Sequence, residues 1–404
     1  MTTQPDSSTQ APALRPLPSF WVMVVALLAV AINLRVTMTS VPPLIDAISA
    51  DLHLSHAMAG LLTALPVLCM GVFAPLASRL AHRMGAVVAV LCSAGAILLG
   101  TIGRGFGGNV LLLYLGTFLA GVGISIAGTL LPQLVKAFFP PERVGLVTGL
   151  YMAGMLGGAT LASAVAVPLA DTIGSWQGSL GSWAVLAALG VVVWAPFTLR
   201  ANPHHIRGEA GPEGLPWRSL TAWTVAIYLA LQSWCFYSSI AWFAPTYVEH
   251  GWSKAGAGFL LAAFTTAQVI SGLFGPVISD RVRDMRVLLL VSAGLSIVGC
   301  LGVFLAPLAA PWVWAFIVGL GQGSAFSLGL VLLVRYAQTP AASARLSGMG
   351  FLVCYSLAAV GPLAMGAIRD RVGTLSLTWV ILAGIGIVQS LVALRMRPGL
   401  PKVD

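Results

Sequence analysis

Apolar residues in this chain neither alternate nor fall on one helical stripe. They run in continuous blocks of near twenty residues, broken by short clusters of charged, Gly and Pro positions. A helix needs roughly 20 apolar residues to cross a hydrocarbon core about 30 Å thick. Twelve such blocks are read: 20–44, 57–78, 86–103, 109–137, 144–168, 180–199, 219–247, 256–278, 286–306, 311–337, 345–368 and 375–395. Barrel strands would instead show alternating segments of about ten residues. The pattern predicts an all-α membrane protein with twelve transmembrane helices.

Composition agrees. The chain is 58% hydrophobic and only 8% charged, against about 25% charged in soluble domains, so a lipid bilayer is its first partner. A net charge of +9 would suggest nucleic acid in a soluble protein. Here the basic residues sit in short loops between blocks and set topology. With both termini inside, sixteen Lys and Arg are cytoplasmic and four are outside (Arg104, Lys254, Arg369 and Arg371). No nucleic-acid partner is expected. Cys69, Cys92, Cys235, Cys300 and Cys354 all fall inside apolar blocks without a CxxC spacing, and read as packing residues. The first block is too long for a signal peptide and no small-residue cleavage site follows it, so it is kept as the first span.

The chain also repeats. Gly121-Val122-Gly123 returns as Gly319-Leu320-Gly321, Arg83 as Arg281, and Thr148-Gly149 as Ser347-Gly348, at offsets of 198, 198 and 199. A half-length repeat predicts two pseudo-symmetric six-helix bundles around a central path. The expected domains are a disordered cytoplasmic tail (1–17), an N-terminal bundle (18–199), a cytoplasmic linker (200–218), a C-terminal bundle (219–397) and a short tail (398–404). Glycines in the fourth and tenth blocks are expected to let helices approach closely and slide.

One residue stands out chemically. Arg35 lies roughly 22 Å along the first helix at about 1.5 Å per residue, too deep to reach the interface easily. A cation there costs roughly 2.5–3.5 kcal/mol on insertion scales. It is expected to face a central cavity and bind an anionic or strongly dipolar small solute. The twelve acids all lie at span ends, loops or tails, and no histidine is mid-span. A proton, if coupled, would ride on the substrate or use an acid at a gate; exchange for a counter-anion and facilitated diffusion are equally allowed. Thr39 shares the Arg35 face at i, i+4. Asn33 and Thr37 share another, about 200° away, so Asn33 either binds substrate, bonds a neighbouring helix or marks a distortion. Tyr151, Gln232, Tyr237, Gln268, Gln322 and Tyr355 complete the substrate-binding candidates, each a hydrogen-bonding group deep in a span. Ser233 and Trp234 are the pseudo-equivalents of Arg35 in the second half. An aromatic wall with one Arg fork would suit a planar solute.

Arg79, Arg83, Asp280, Arg281 and Asp284 are candidates for cytoplasmic gating pairs. His53 and His56 have metal-like spacing but no supporting ligand nearby, and read as solvated loop. The glycine-rich stretch 103–108 lacks the Lys and Ser/Thr of a P-loop. No cofactor, metal site or catalytic cluster is visible, and an enzyme is not expected.

Several stretches carry a family resemblance. Pro276-Val277-Ile278-Ser279-Asp280-Arg281-Val282-Arg283-Asp284 resembles the loop signature of the major facilitator superfamily. Ser78-Arg79-Leu80-Ala81-His82-Arg83-Met84-Gly85 is its degraded counterpart, with His82 where the pattern has an acid. Asn33-Leu34-Arg35-Val36-Thr37, Leu130-Leu131-Pro132-Gln133, Arg143-Val144-Gly145 through Tyr151, Gln232-Ser233 with Phe236-Tyr237, and Leu346-Ser347-Gly348-Met349-Gly350 resemble the cyanate and nitroimidazole transporter branch. The resemblance implies the superfamily fold and secondary transport by alternating access. The implied cargo is a small organic anion or polar planar solute: cyanate-like, nitroimidazole-like or a carboxylate. It further implies a bacterial inner membrane; a monomer is expected. The alternative is efflux of neutral or cationic drugs with Arg35 structural.

Overall fold

A computed structural model describes residues 20–106, 108–198, 214–279, 281–282, 284–397 and 399–404. The predicted tail 1–17 and most of the linker 200–218 lie outside them, as does Asp280. Among the described residues there are fifteen α-helices and no strand beyond an isolated bridge between Ala337 and Val403.

The first half holds α1 (Phe20–Thr39), α2 (Ile45–Leu52), α3 (His56–Val72), α4 (Ala74–Met84), α5 (Ala86–Gly105), α6 (Val110–Phe138), α7 (Pro141–Ile173), α8 (Trp176–Ser182) and α9 (Ala184–Thr198). The second holds α10 (Leu220–Glu249), α11 (Lys254–Ser279), α12 (Met285–Leu305), α13 (Pro311–Arg335), α14 (Pro340–Val372) and α15 (Ser376–Leu394). Ten spans are long and apolar enough to cross a membrane, and α3 with α4, bent by 52°, make an eleventh. Helix α10 is the twelfth. At 30 residues it is about 45 Å long, and its buried Gln232, Ser233, Ser238 and Ser239 lower its mean hydropathy. The first span runs further than its apolar block: Pro42 and Pro43 break α1 into a 3-10 turn, and the helix resumes as α2 to Leu52.

Local chemistry sets the ends. Ser55, Asn109, Ser219 and Thr339 cap their helices by accepting a first-turn N–H. Helices α7 and α14 mirror one another. Each has 33 residues, begins at a proline and ends at a left-handed glycine, Gly174 (φ 79°) or Gly373 (φ 87°). The repeated glycines occupy matching contacts. A Cβ on Gly121 would lie 2.9 Å from Pro66 of α3, and one on Gly319 would strike Phe264 of α11. Gly123 and Gly321 face Ser93 of α5 and Ser296 of α12 in the same way. Only glycine permits these approaches.

The halves meet along two seams, α3 against α14 and α7 against α11. Gly60 abuts the Pro362 backbone and Gly366 the His56 backbone. On the other seam Thr160 and Thr265 hydroxyls lie 3.1 Å apart. Beyond the bend, α4 packs on α5 and α6 within its own half. The His56 end of the molecule is therefore shut.

Two expectations need correction. Arg104 belongs to no outer loop: it sits in the last turn of α5, is 1% exposed, and donates to the Thr37 carbonyl at 2.7 Å. The break at Pro42–Pro43 leaves that carbonyl near the end of α1, where a cation is favoured. Cys92 is exposed, while the other four cysteines are buried.

Candidate functional site

Arg35 lies on α1 near the interface of the two halves. Nη1 donates to the Tyr237 hydroxyl of α10 at 3.4 Å, a long bond. The guanidinium carbon is 5.5 Å from the Phe236 ring centroid and 6.0 Å from that of Tyr237. Such contacts contribute roughly 0.5–2 kcal/mol, more when water is excluded. No acidic side chain pairs with Arg35 among the described residues. The residue is only partly buried, and its other nitrogens are not among the sealed, unpartnered atoms. These nitrogens keep some accessible surface.

Rings surround the guanidinium. Phe236 and Tyr237 meet edge to face at 4.8 Å, Tyr237 and Tyr355 at 6.4 Å, and Tyr355 stacks on Phe351 at 5.7 Å and 16°. The Tyr237 hydroxyl points at Met70 Sδ of α3, 3.8 Å away. Tyr151 of α7, with Tyr237 and Tyr355, makes up the electrostatic surroundings of the guanidinium. Helices α1, α3, α7, α10 and α14 thus each send a side chain to one place. A fork of N–H donors beside edge and face rings can hold a planar anion: the fork takes its oxygens and the rings take its face.

The structure brings Arg35, Tyr237, Tyr151 and Tyr355 together. It sends the other candidates elsewhere. Asn33 Nδ2 donates to Ala29 O at 2.8 Å and Leu186 O at 3.1 Å, tying α1 to α9. The Thr39 hydroxyl donates to the carbonyls of Arg35 and of Ala159, 3.0 and 3.1 Å away, fastening α1 to α7. Gln232 Nε2 donates to Gln322 O, and Gln322 Nε2 to Ser239 Oγ, both at 3.0 Å. Ser233 donates to Gln232 Oε1 at 2.9 Å and accepts from Cys354 Sγ at 3.0 Å. This network stitches α10 to α13 and α14. Gln268 is buried on α11, its Nε2 without a partner among the described residues. The sequence singles out Phe236 only within a motif and does not single out Phe351 or Met70. One more ring or thioether in a membrane helix carries no pattern of its own.

Of the gating candidates, Arg79, Arg83 and Arg281 are exposed, and Asp280 lies outside the described residues. Asp284 pairs locally instead. It caps α12 and accepts from Arg286 Nε at 2.9 and 3.0 Å. The Arg286 side-chain and backbone hydrogen bonds hold its carboxyl below the usual carboxylate range.

The Major Facilitator Superfamily model matches residues 23–362. The chain is 35% identical to the 2-nitroimidazole transporter of Escherichia coli over 92% of its length and 94% of that protein. It is 31% identical to the cyanate transport protein CynX of Escherichia coli, over 93% and 97%. Among solved structures it is similar to a peptide transporter POT in complex with sulfate, with a TM-score of 0.76 at 16% identity, covering 96% of this chain and 97% of that one. That last likeness shows the fold alone. The twelve-helix architecture, the matched model and these relatives make this multi-pass bacterial membrane protein a transporter of the Major Facilitator Superfamily, in the branch that holds the cyanate and 2-nitroimidazole transport proteins.

Proposed function

We propose that the protein carries a small planar anion or strongly dipolar planar solute across the membrane, with Arg35 as its anchor and Phe236, Tyr237 and Tyr355 as its wall. The observation that carries the reading is an arginine deep in a span, only partly buried, held by rings and one long hydrogen bond, with no acid against it among the described residues. Arg35 differs from the structural Arg104, whose unpartnered donors are sealed from any solute. Cyanate and nitroimidazoles, the solutes named for the relatives, fit this chemistry. A cationic drug does not, since the site already holds the cation.

The Lys and Arg distribution supports both termini being cytoplasmic, with the His56 end outside. The packing supports two bundles, 18–199 and 219–397, acting as the moving bodies. With no carboxylate beside Arg35 among the described residues, a proton coupled to transport travels on the solute or binds at the rim; a counter-anion at Arg35 is the other route. The test is uptake into proteoliposomes, with inward flux of labelled cyanate and 2-nitroimidazole measured with and without excess unlabelled anion inside. Saturable flux that anions accelerate and organic cations leave unchanged is expected. Flux competed by cations and indifferent to anions would overturn the reading.

A further inference from the structure

A second ionisable cluster lies at the His56 end, away from Arg35. Helix α3 begins at His56, and its first two N–H groups, from His56 and Ala57, donate to the two carboxylate oxygens of Asp370 at 2.8 and 2.9 Å. The His56 Nδ1 lies 2.7 Å from Asp370 Oδ1. A carboxylate from α14 in the second half therefore caps a helix of the first half, where the α3 dipole favours negative charge. Packing makes this contact tight. The His56 ring lies 6.2 Å from that of Trp242, whose Nε1 donates to Pro362 O at 2.9 Å. The side chains of His56 and Asp370 keep 35% and 27% of their surface exposed, so protons reach them from the adjacent water.

The surrounding charges are Arg369 of α14, ion-paired with Glu249 of α10; Glu249, whose other oxygen accepts from Leu375 N at 3.0 Å; Asp46 of α2; and Lys254 of α11, within electrostatic reach of Asp46 along with His56. Tyr114 of α6 donates to Met58 O at 2.6 Å. The Arg369–Glu249 pair stays within the second half. His56–Asp370 crosses between the halves, on the seam that must part if this end is to open.

We propose that His56 and Asp370 form a proton-responsive latch on the outer face. With His56 protonated, the ion pair and the helix cap together hold α3 against α14 and keep the outer side shut. With His56 neutral the cap remains alone, and the outer side opens more readily. Histidine is the side chain whose ordinary charge change falls between about pH 5 and 8, so external acidity biases the transporter towards its outwardly closed state. The latch operates whichever solute binds at Arg35.

Spin labels at Ile173→Cys and Val372→Cys, exposed pseudo-equivalent positions at the outer ends of α7 and α14, report closure as a distance. Cys92→Ser removes the exposed native thiol. In the full chain reconstituted in lipid, the closed-to-open ratio is expected to be roughly two- to fivefold higher near pH 5.5 than near pH 8, the range a half-exposed ion pair supports. His56→Gln is expected to abolish that dependence, and Asp370→Asn to abolish it while lowering the closed fraction at both pH values. Ligand-induced stabilisation measured on the same samples checks that the Arg35 site is intact. A wild-type distance indifferent to pH, or a dependence surviving in His56→Gln, overturns the latch and leaves the Arg35 reading standing.

Discussion

The closure at the His56 end rests on two glycines, and the consequence of filling one can be worked out. A methyl on Gly366 would place its carbon 2.6 Å from the His56 carbonyl carbon and 2.8 Å from the Trp242 ring. Carbon atoms pack best at about 3.5–4.0 Å, so α3 and α14 must separate by roughly 1 Å. The obstacle is backbone on one side and a buried indole on the other, and neither can swing aside. Overpacking of this kind costs roughly 1–3 kcal/mol. Alanine gains about 1 kcal/mol over glycine in a helix, but α14 is helical whether that end is open or shut, so the gain cancels between conformers. The closed-to-open ratio of Gly366→Ala should fall roughly 5- to 150-fold. The distance between labels at Ile173→Cys and Val372→Cys measures it. Gly384→Ala is the control, because a Cβ there meets nothing within 4 Å. An unchanged distance distribution in Gly366→Ala would refute the steric reasoning, as would the same shift in the control.

Two further predictions separate the strut residues from the site. Asn33→Leu removes two hydrogen bonds between α1, its own preceding turn and α9; the net loss is about 1–2 kcal/mol. It should lower the melting temperature while leaving solute-induced stabilisation intact, and loss of the ligand response at unchanged melting temperature would put Asn33 back in the site. Arg104 makes one buried hydrogen bond and leaves Nε and Nη2 without partners among the described residues. One charged bond contributes about 1.5–3 kcal/mol, and each orphaned donor costs about 1–3 kcal/mol. Arg104→Met should therefore melt at or above wild type, and a clear drop would mean that capping Thr37 outweighs the desolvation.

The span count, the two halves and the glycine seams were legible because each leaves a long or repeated mark in the sequence. Twenty apolar residues announce a span on their own, and Gly121-Val122-Gly123 returns as Gly319-Leu320-Gly321. Arg35 was legible because a cation in an apolar block has few other uses. The partners of Arg35 were harder. Tyr237, Tyr151 and Tyr355 sit on three other helices, and only the packing of the halves brings them to one point. Gln232 and Gln322 looked equally suitable, yet bond each other's elements within the second half, a choice that depends on helix rotation. His56 read as loop because its partner lies 314 residues away. Arg104 read as an outer-loop charge because hydropathy cannot distinguish a last helical turn buried under α1 from a loop.

The central claim is that Arg35 binds the transported solute through its fork. The direct measurement is thermal stabilisation of the purified protein by cyanate, 2-nitroimidazole and small carboxylates, with wild type beside Arg35→Ala and Arg35→Lys. A solute at about 100 times its dissociation constant adds about 2.7 kcal/mol to a native state that alone binds it. The account predicts stabilisation of wild type by at least one planar anion, none of Arg35→Ala, and a much reduced response in Arg35→Lys, which keeps the charge without the fork. Equal stabilisation of all three proteins would contradict it and leave Arg35 a structural residue.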